Sequence, residues 1–593
     1  MLVQLNFVIP KNSYPLYNYK PYIKTILEAA KIRLKYLLVS KRYQSFYPQL
    51  YLVMWITLSV IGCKPDKETK PLQIFKYNQD TDISSLDPAF ARNQGNIWAV
   101  SQLYNGLVTL NSKLEVAPEI AEKYEISPDG KTYTFYLKKG VKYHDNEVFA
   151  NGKGREINAN DFVYSFYRII DKKTASPGAW IFNDKVLNVN DSTISDTCFK
   201  AVSDYVFRIY LRKSFPPFIQ LLTMPYAFVV PKEGIDKWGK EFRNHPVGTG
   251  PFKMEIWEEK SALIFAKNED YWKKGESGEA LPKIDRVHIS FVNDRNLAFM
   301  EFRQGKIDFI SGLDENSRDI VFDGNGNIKK EFAEKYNVNI LPYMNTEFLG
   351  FQLDNTIYKQ KDHWFLKKEF RQALNYAINK EQMVQYILNN LGDPGNAGFV
   401  PPFMIPATTD GYKYNTEKAR NLLNSIQYQS NKSQQKLKLS TISRFPYKEI
   451  AEFVQREWSK IGVDIEIETL DNSTLLENTA QGRINFFRAS WLGDYSDPEN
   501  YLACFYSKNF TPSGPNKTRY SNPEFDKLYE QSLNEQDMNV RVKMYQQMDE
   551  MLTKDAPVIT LWYDKVVRLT QKRVKGLEVN AMNSLILEKV SFE

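Results

Sequence analysis

A basic residue, an indole and an acid stand at short spacing in one segment near the end of the chain, residues 488–501. Arg488 and Asp494 supply opposite charges, and Trp491 lies between them. Guanidinium and carboxylate groups form charge-assisted hydrogen bonds with ligand groups of the opposite charge. The segment is therefore suited to a ligand that carries a charge at each end.

We predict that this segment begins as a β-strand and ends in a turn. Side chains alternate along a strand, so Arg488, Ser490 and Leu492 would share one face and Asp494 would follow the strand's end. Trp491 is either a wall of a cleft or ordinary core. Asp494 is either a ligand-binding acid or the cap of the turn.

Composition and charge limit the classes of protein to consider. The chain has 593 residues, of which 42% are hydrophobic and 25% charged, which indicates a globular protein of two or three lobes. Its net charge is +7. Residues 1–62 contain eight Lys or Arg and one acid, and the remainder has 70 basic and 70 acidic residues. We therefore expect no nucleic-acid partner.

The basic leader ends in an apolar run, residues 50–61, followed by Gly62 and Cys63. A basic flank and a short apolar run are typical of a secretory signal, and the run is short for a membrane span. The ending Val60-Ile-Gly-Cys63 resembles a bacterial lipobox, which implies that Cys63 is lipidated. We assign residues 1–62 to the leader and 63–70 to a tether. The alternative is an uncleaved membrane anchor.

Short motifs follow one another along the rest of the chain, each weak alone. In order they are Ser85-Leu-Asp-Pro88, Tyr104-Asn-Gly-Leu107, Pro118-Glu-Ile-Ala-Glu122, Ser127-Pro-Asp-Gly130, Asn158-Ala-Asn-Asp161, Pro246-Val-Gly-Thr-Gly-Pro-Phe252, Phe370-Arg-Gln-Ala-Leu-Asn-Tyr-Ala-Ile378 and Tyr520-Ser-Asn-Pro-Glu-Phe-Asp526. Together they resemble the family 5 extracytoplasmic solute-binding proteins of ABC importers, closest to the oligopeptide-binding branch.

Several of these motifs also have a purely structural interpretation. Ser127-Pro-Asp-Gly130 predicts a turn, and Tyr133, Phe135 and Leu137 alternate as in a half-buried strand. The asparagines and aspartate before Phe162 predict a helix N-terminus. We interpret these motifs as scaffold.

The resemblance implies an α/β fold that is periplasmic-binding-protein type II-like, with two main lobes and an additional lobe hinged around a ligand cleft. Lobe I would take residues 71–104, 229–335 and 559–593. Lobe II would take 105–228 and lobe III 336–558. The ligand would bind between lobes I and III, which close on it.

The resemblance also implies roles for the opening segment. Asp494, followed by Tyr495, matches the acid that binds a peptide's α-ammonium. Arg488 matches an arginine that meets the ligand's carboxylate in some relatives. Ser490 and Leu492 would pair with the peptide backbone. Trp491 and Tyr495 complete the predicted set of ligand-binding residues.

The implied function is capture of short peptides by an extracytoplasmic lipoprotein, with no cofactor, no metal and no enzymatic activity. Its partners would be the ABC importer's membrane subunits and, through the lipid anchor, the membrane, with the protein itself a monomer. A metallophore binder is a rival, but the four histidines lack ligand spacing. A sugar or opine ligand would not need Asp494. Enzyme motifs such as a nucleophile elbow are not found in the sequence.

Overall fold

The computed structural model describes residues 71–593, apart from 188, 191–192, 195–197, 359–362 and 430–436. Leu72–Glu593 form one compact unit. The predicted leader and tether, with Cys63, lie outside the described residues. Within the described part, no helix has the length and apolar character needed to cross a membrane.

Twenty-one strands are found within the described residues, arranged in five sheets. They are β1 Ile74–Asn78, β2 Val108–Leu110, β3 Val116–Pro118, β4 Ala121–Ile126, β5 Thr132–Leu137, β6 Val189–Asn190, β7 Thr193–Ile194, β8 Phe199–Ser203, β9 Val206–Tyr210, β10 Phe252–Glu258, β11 Ala262–Lys267, β12 Arg286–Ser290, β13 Phe309–Ser311, β14 Tyr336–Phe351, β15 Gly392–Pro394, β16 Lys438–Ile442, β17 Glu466–Leu470, β18 Phe486–Leu492, β19 Val558–Gln571, β20 Val574–Lys575 and β21 Ser591–Phe592.

The α-helices of the same residues pack around these sheets. They are α1 Gln94–Leu103, α2 Ala159–Ile170, α3 Phe218–Leu221, α4 Lys232–Trp238, α5 Arg295–Arg303, α6 Glu315–Val321, α7 Lys330–Lys335, α8 Lys368–Tyr376, α9 Lys380–Leu388, α10 Thr416–Ser425, α11 Tyr447–Ser459, α12 Asn472–Ala480, α13 Glu499–Leu502, α14 Pro523–Ser532 and α15 Met538–Asp555.

The largest sheet has eleven strands, ordered β10-β11-β12-β1-β13-β19-β14-β18-β16-β17, with β15 paired to β19. Its centre is the antiparallel ribbon of β14 and β19, the two longest strands, with 16 and 14 residues. One end of the ribbon joins β13, and the other end joins β18. The ribbon therefore connects the strands that we assigned to lobes I and III.

The register of this ribbon shifts between Pro342 and Thr346. An irregularity in a paired strand bends it and re-aims nearby side chains. Tyr343 lies in the shifted stretch, and Met344 donates its backbone N–H to Ala581 instead of to β19. The bend thus falls between the two halves of the sheet, where a hinged cleft is expected.

The second-largest sheet, β4-β5-β9-β8, confirms the local predictions from the sequence. The turn at Ser127 joins β4 to β5, and Tyr133, Phe135 and Leu137 are buried. Helix α2 begins after Asn158, whose side chain forms a capping box with Asp161.

The segment between Pro246 and Pro251 packs against the end of α1. A Cβ on Gly248 would lie 2.0 Å from the Leu103 carbonyl oxygen, and one on Gly250 would lie 2.4 Å from the Leu103 carbonyl carbon. Only glycine permits so close an approach of two backbones. The motif is scaffold here.

The hydrophobic interior is divided into several clusters. Cys198 belongs to the cluster around β1, β5 and α2, whereas Cys504 belongs to the cluster beneath β18. The two cysteines therefore pack in different cores. The division into lobes I, II and III stays a prediction.

Candidate ligand-binding cleft

Strand β18 carries the residues singled out from the sequence, and the predicted strand over Arg488, Ser490 and Leu492 is confirmed. It pairs antiparallel with β14 along its whole length, with Ser490 opposite Glu347. On its other side β16 pairs in parallel at one position, Ser440 with Phe487. From Ser490 onward, the described strands leave this edge unpaired.

Hydrogen bonds at both ends of the β14–β18 ladder show which backbone groups face that edge. The Gln352 N–H donates to the Asn485 oxygen at 2.9 Å, and the Gly493 N–H donates to the Met344 oxygen at 2.7 Å. Backbone groups alternate direction along a strand, so odd-numbered residues of β18 bond to β14. The backbone groups of Ser490 and Leu492 therefore point toward the open edge.

Asp494 follows the strand and lines a cavity of about 530 Å³. Asp494 is an exposed residue, and no basic side chain of the described residues forms an ion pair with it. The protein around the cavity nonetheless removes part of its hydration, which raises the pKa of Asp494, and the hydrogen bond with Asn500 opposes this less strongly. Asp494 is thus a carboxylate without a cation.

One buried side chain, Asn500, fixes the turn that carries Asp494. Its Oδ1 accepts the Asp494 backbone N–H at 3.1 Å and the Trp491 indole N–H at 3.0 Å. The half-buried Trp491 packs against the core beneath β18. Trp491 therefore supports the turn that positions Asp494.

Most residues that line the cavity of Asp494 come from segments distant from it in the sequence. Trp98 and Tyr104 contribute from α1 and the loop after it, and Met224 and Phe228 contribute from a second loop. About half of the residues that line the cavity are polar or charged, including acids and lysines besides Asp494. The cavity is therefore polar as well as apolar, and Asp494 is the carboxylate that the end of β18 contributes to it.

Arg488 is engaged within the protein. Its guanidinium forms an ion pair of 2.5 Å with Glu347, whose side chain is 2% exposed. The guanidinium also stacks over the Tyr447 ring, 3.6 Å from its centroid. Burial raises the pKa of Glu347 to about 7, although Arg488 opposes the shift. Sequence reasoning missed Glu347, since nothing in the sequence pairs it with Arg488.

Tyr495 lies in the core rather than in the cavity that Asp494 lines. The residue is 5% exposed, its hydroxyl donates to the Glu499 carboxylate, and its ring is 6.4 Å from that of Trp180. The structure thus separates the predicted residues. Asp494 and the edge of β18 face open space, whereas Arg488 and Tyr495 bond to buried carboxylates.

A second cavity, of about 820 Å³, was not expected from the sequence. It lies between α6 on one side and Trp562, Asp564 and the start of α11 on the other. Arg318 and Tyr343 also line it. These residues come from segments far apart in the sequence and match none of its motifs, so no sequence signal identified them.

Comparisons with known proteins agree with this architecture. The family model described as bacterial extracellular solute-binding proteins, family 5 Middle, matches residues 115–513. The dipeptide-binding protein DppE of Bacillus subtilis is 27% identical over 557 residues, covering 89% of this chain and 95% of that protein. Heme-binding protein A of Haemophilus influenzae is 28% identical over 490 residues, covering 80% and 84%.

A solved structure gives the same result for the fold. DppA from Helicobacter pylori, in complex with the peptide STSA, is 27% identical and superposes with a TM-score of 0.67, covering 87% of this chain and 98% of that one. The predicted α/β, type II periplasmic-binding-protein fold is confirmed. The matched proteins are solute-binding proteins rather than enzymes. The family model matches well over half of this chain, and the chain therefore belongs to family 5 of the bacterial extracellular solute-binding proteins.

Proposed function

We propose that this protein captures short peptides outside the cytoplasm and delivers them to the membrane subunits of an ABC importer. The observation that carries the proposal is Asp494, a carboxylate without a basic partner among the described residues, placed where a strand with an open edge meets a cavity. A peptide has groups complementary to both features.

The peptide's α-ammonium is the group that suits Asp494. The surrounding protein weakens the hydration of the carboxylate, as its raised pKa reflects. An ammonium ion placed there restores a favourable interaction for the charged form through charge-assisted hydrogen bonds. Asp494 therefore binds the amino end of the ligand.

The peptide backbone suits the edge of β18. Ser490 and Leu492 direct their N–H and C=O groups toward that edge, and an extended peptide can add to it as a further strand. Backbone pairing does not read side chains. The protein therefore tolerates many peptide sequences.

Delivery to an importer implies a position outside the cytoplasm. We assign a tether to residues 63–70, lipidated at Cys63, so that a monomer is held at the membrane within reach of the importer. Relatives named for dipeptide binding support the peptide ligand. A relative named for heme binding makes a non-peptide solute the alternative.

Calorimetric titration with N-acetylated and free peptides tests the proposal. We take dialanine to pentaalanine, each with a free or acetylated amino end, against the wild type and Asp494→Asn. Losing a hydrogen bond to a charged group costs about 1.5–3 kcal/mol, so Asp494→Asn should weaken free peptides about ten- to hundredfold. Acetylation should weaken wild-type binding similarly, and the two losses should not add.

Glu276→Gln is the matched control, because Glu276 lines the same cavity with a side chain that is 94% exposed. It should leave the affinities unchanged. If free and acetylated peptides bind the wild type equally, Asp494 is a turn residue and the amino end is held elsewhere. Native mass spectrometry of protein purified without refolding identifies a co-purified non-peptide ligand.

A further inference from the structure

The tip of the β2–β3 hairpin joins two hydrophobic clusters of the molecule. Its strands pack, through Val108 and Val116, on the cluster around β1, β5 and α2. Leu114, at the tip, is half-buried and packs instead against the cluster beneath β18. The hairpin thus extends from the half of the molecule that contains β1 to the half that contains β18.

The turn that carries Asp494 makes the reverse connection. Tyr495 follows β18 in the chain, but its side chain belongs to the cluster around β1, β5 and α2. The next residue, Ser496, donates its hydroxyl to the Leu114 backbone oxygen at 2.8 Å. Each half therefore places one apolar side chain in the core of the other, and a hydrogen bond links the two segments.

The hairpin tip holds Leu114 in a conformation that is costly for a bulky side chain. Its φ angle is +64°, in the left-handed region. Such a residue persists only where its surroundings hold it. Asn111 does so, because its side-chain oxygen accepts the backbone N–H groups of Lys113 and Glu115, both at 2.9 Å. The tip is therefore braced in the shape that presents Leu114 to the other half.

A second contact lies along the same boundary. The Gln536 side-chain amide, in the loop between α14 and α15, donates to the Ser214 hydroxyl at 2.6 Å. The same amide lies so close to the β4–β5 turn that a Cβ on Gly130 would be 2.4 Å from its nitrogen. The boundary thus has contacts at two places, each formed by protein groups.

The hairpin tip also belongs to the wall of the candidate site. Asn111 and Ser112 line the cavity that Asp494 lines. The hairpin and the Asp494 turn, which bond to each other through Ser496 and Leu114, therefore bound the same space from two sides. Separating the two halves would expose Leu114 and Tyr495 to water, which is unfavourable.

We propose that Leu114, Tyr495 and Ser496 form a clasp that holds the two halves together by protein contacts and fixes the Asp494 turn against its cavity. This inference rests on the proposed capture of a ligand in that cleft. Leu114 and Ser496 are then positioning residues, because they act on the ligand through Asp494 and through the closed state. Weakening the clasp shortens the time for which a ligand stays bound.

A distance measurement between the halves tests the clasp without any ligand. Nitroxide labels are attached at Asp204→Cys, in the turn between β8 and β9, and at Glu477→Cys on α12, since both residues are exposed and lie in different halves. The background is Cys63→Ser. Cys198 and Cys504 are buried, so the labels attach to the introduced cysteines. Double electron–electron resonance then gives the populations of short and long distances.

The short distance should predominate in the free wild type. Leu114→Ala removes apolar contact and Ser496→Ala removes the hydrogen bond, so each should raise the ratio of long to short distances about three- to tenfold. Leu114→Met should restore most of the wild-type ratio. Leu297→Ala is the matched control, because this leucine is 51% exposed on α5. Ser496→Ala keeps the test valid if Leu114→Ala fails to fold.

Stopped-flow release of trialanine measures the consequence for the ligand. Leu114→Ala and Ser496→Ala should release it about three- to tenfold faster than the wild type, and Leu297→Ala should not. Unchanged distances in both variants would overturn the inference, as would a free wild type in which the long distance predominates. Unchanged release despite changed distances would overturn the role in ligand retention. If the wild type binds no peptide, the proposed function fails, while the distances still decide whether the clasp exists.

Discussion

At the scale of single residues, the pair of Glu347 and Arg488 shows that a residue of a ligand-binding motif can instead form a buried ion pair. Arg488 resembles a ligand-binding arginine in the sequence, but its guanidinium neutralises Glu347 and stacks on Tyr447. The Glu347 side chain is also bonded by Asn345 at 3.1 Å. The arginine is therefore committed to the protein interior in this structure.

The pair predicts a pH dependence of stability. The pKa of Glu347 is about 7 in the folded protein, above its usual value of 4.5. The folded state thus holds the proton more tightly than the unfolded state, so this residue's contribution to the free energy of unfolding falls as pH rises from about 4.5 to 7. The fall amounts to as much as about 3 kcal/mol. Thermal melts from pH 4.5 to 8 measure it.

Glu347→Gln should remove that slope, because glutamine does not titrate, although it also shifts stability at every pH by leaving Arg488 without its anion. Glu452→Gln on α11 is the control, since its side chain is 44% exposed. Its curve should run parallel to that of the wild type. Parallel curves for Glu347→Gln and the wild type would contradict the raised pKa.

At the scale of elements, strand β18 has one edge that pairs with β14 and one edge that is partly open. The odd-numbered residues bond to β14 and hold the sheet together, whereas Ser490 and Leu492 face the open edge. Proline substitution distinguishes the two edges, because proline has no N–H to donate.

Leu492→Pro removes an N–H that faces the ligand. We expect peptide affinity to fall about three- to tenfold, the effect of one backbone hydrogen bond, with a small change in melting temperature. Ala489→Pro is the matched comparison, since the N–H of residue 489 faces β14. It should destabilise the fold by about 1–3 kcal/mol, because a buried acceptor of β14 loses its partner. Calorimetry and thermal melts of both variants measure these effects. If Leu492→Pro keeps full affinity, the ligand does not add to this strand.

At the scale of the whole molecule, the bend in the β14–β19 ribbon lies between the two halves of the large sheet. Asp494 follows β18, which belongs to one of these halves. Closure of these halves would bring both ends of a ligand into contact with protein, as in hinged binding proteins.

The position of the molecule in the cell gives a further prediction. If Cys63 is lipidated, Cys63→Ser should yield a folded protein that is no longer labelled by radioactive palmitate and is released from membranes. Ser59→Ala leaves the cysteine in place and should keep the labelling. Undiminished labelling of Cys63→Ser would refute lipidation at this position.

Much of the fold was predictable from local sequence signals. The turn at Ser127, the helix beginning after Asn158 and the strand through Ser490 were identified correctly, because turns, caps and alternation depend on neighbours in the sequence. The family followed from the order of many short motifs.

The sequence by itself determined the family, the strand with Asp494 at its end and the charge balance of the body. The tertiary structure decided which charges are free. Glu347 lies 141 residues from Arg488 yet neutralises it, whereas the Asp494 carboxylate forms no ion pair with any basic side chain of the described residues. The physical reason is that the availability of a charge depends on burial and on partners from distant segments, which only folding brings together.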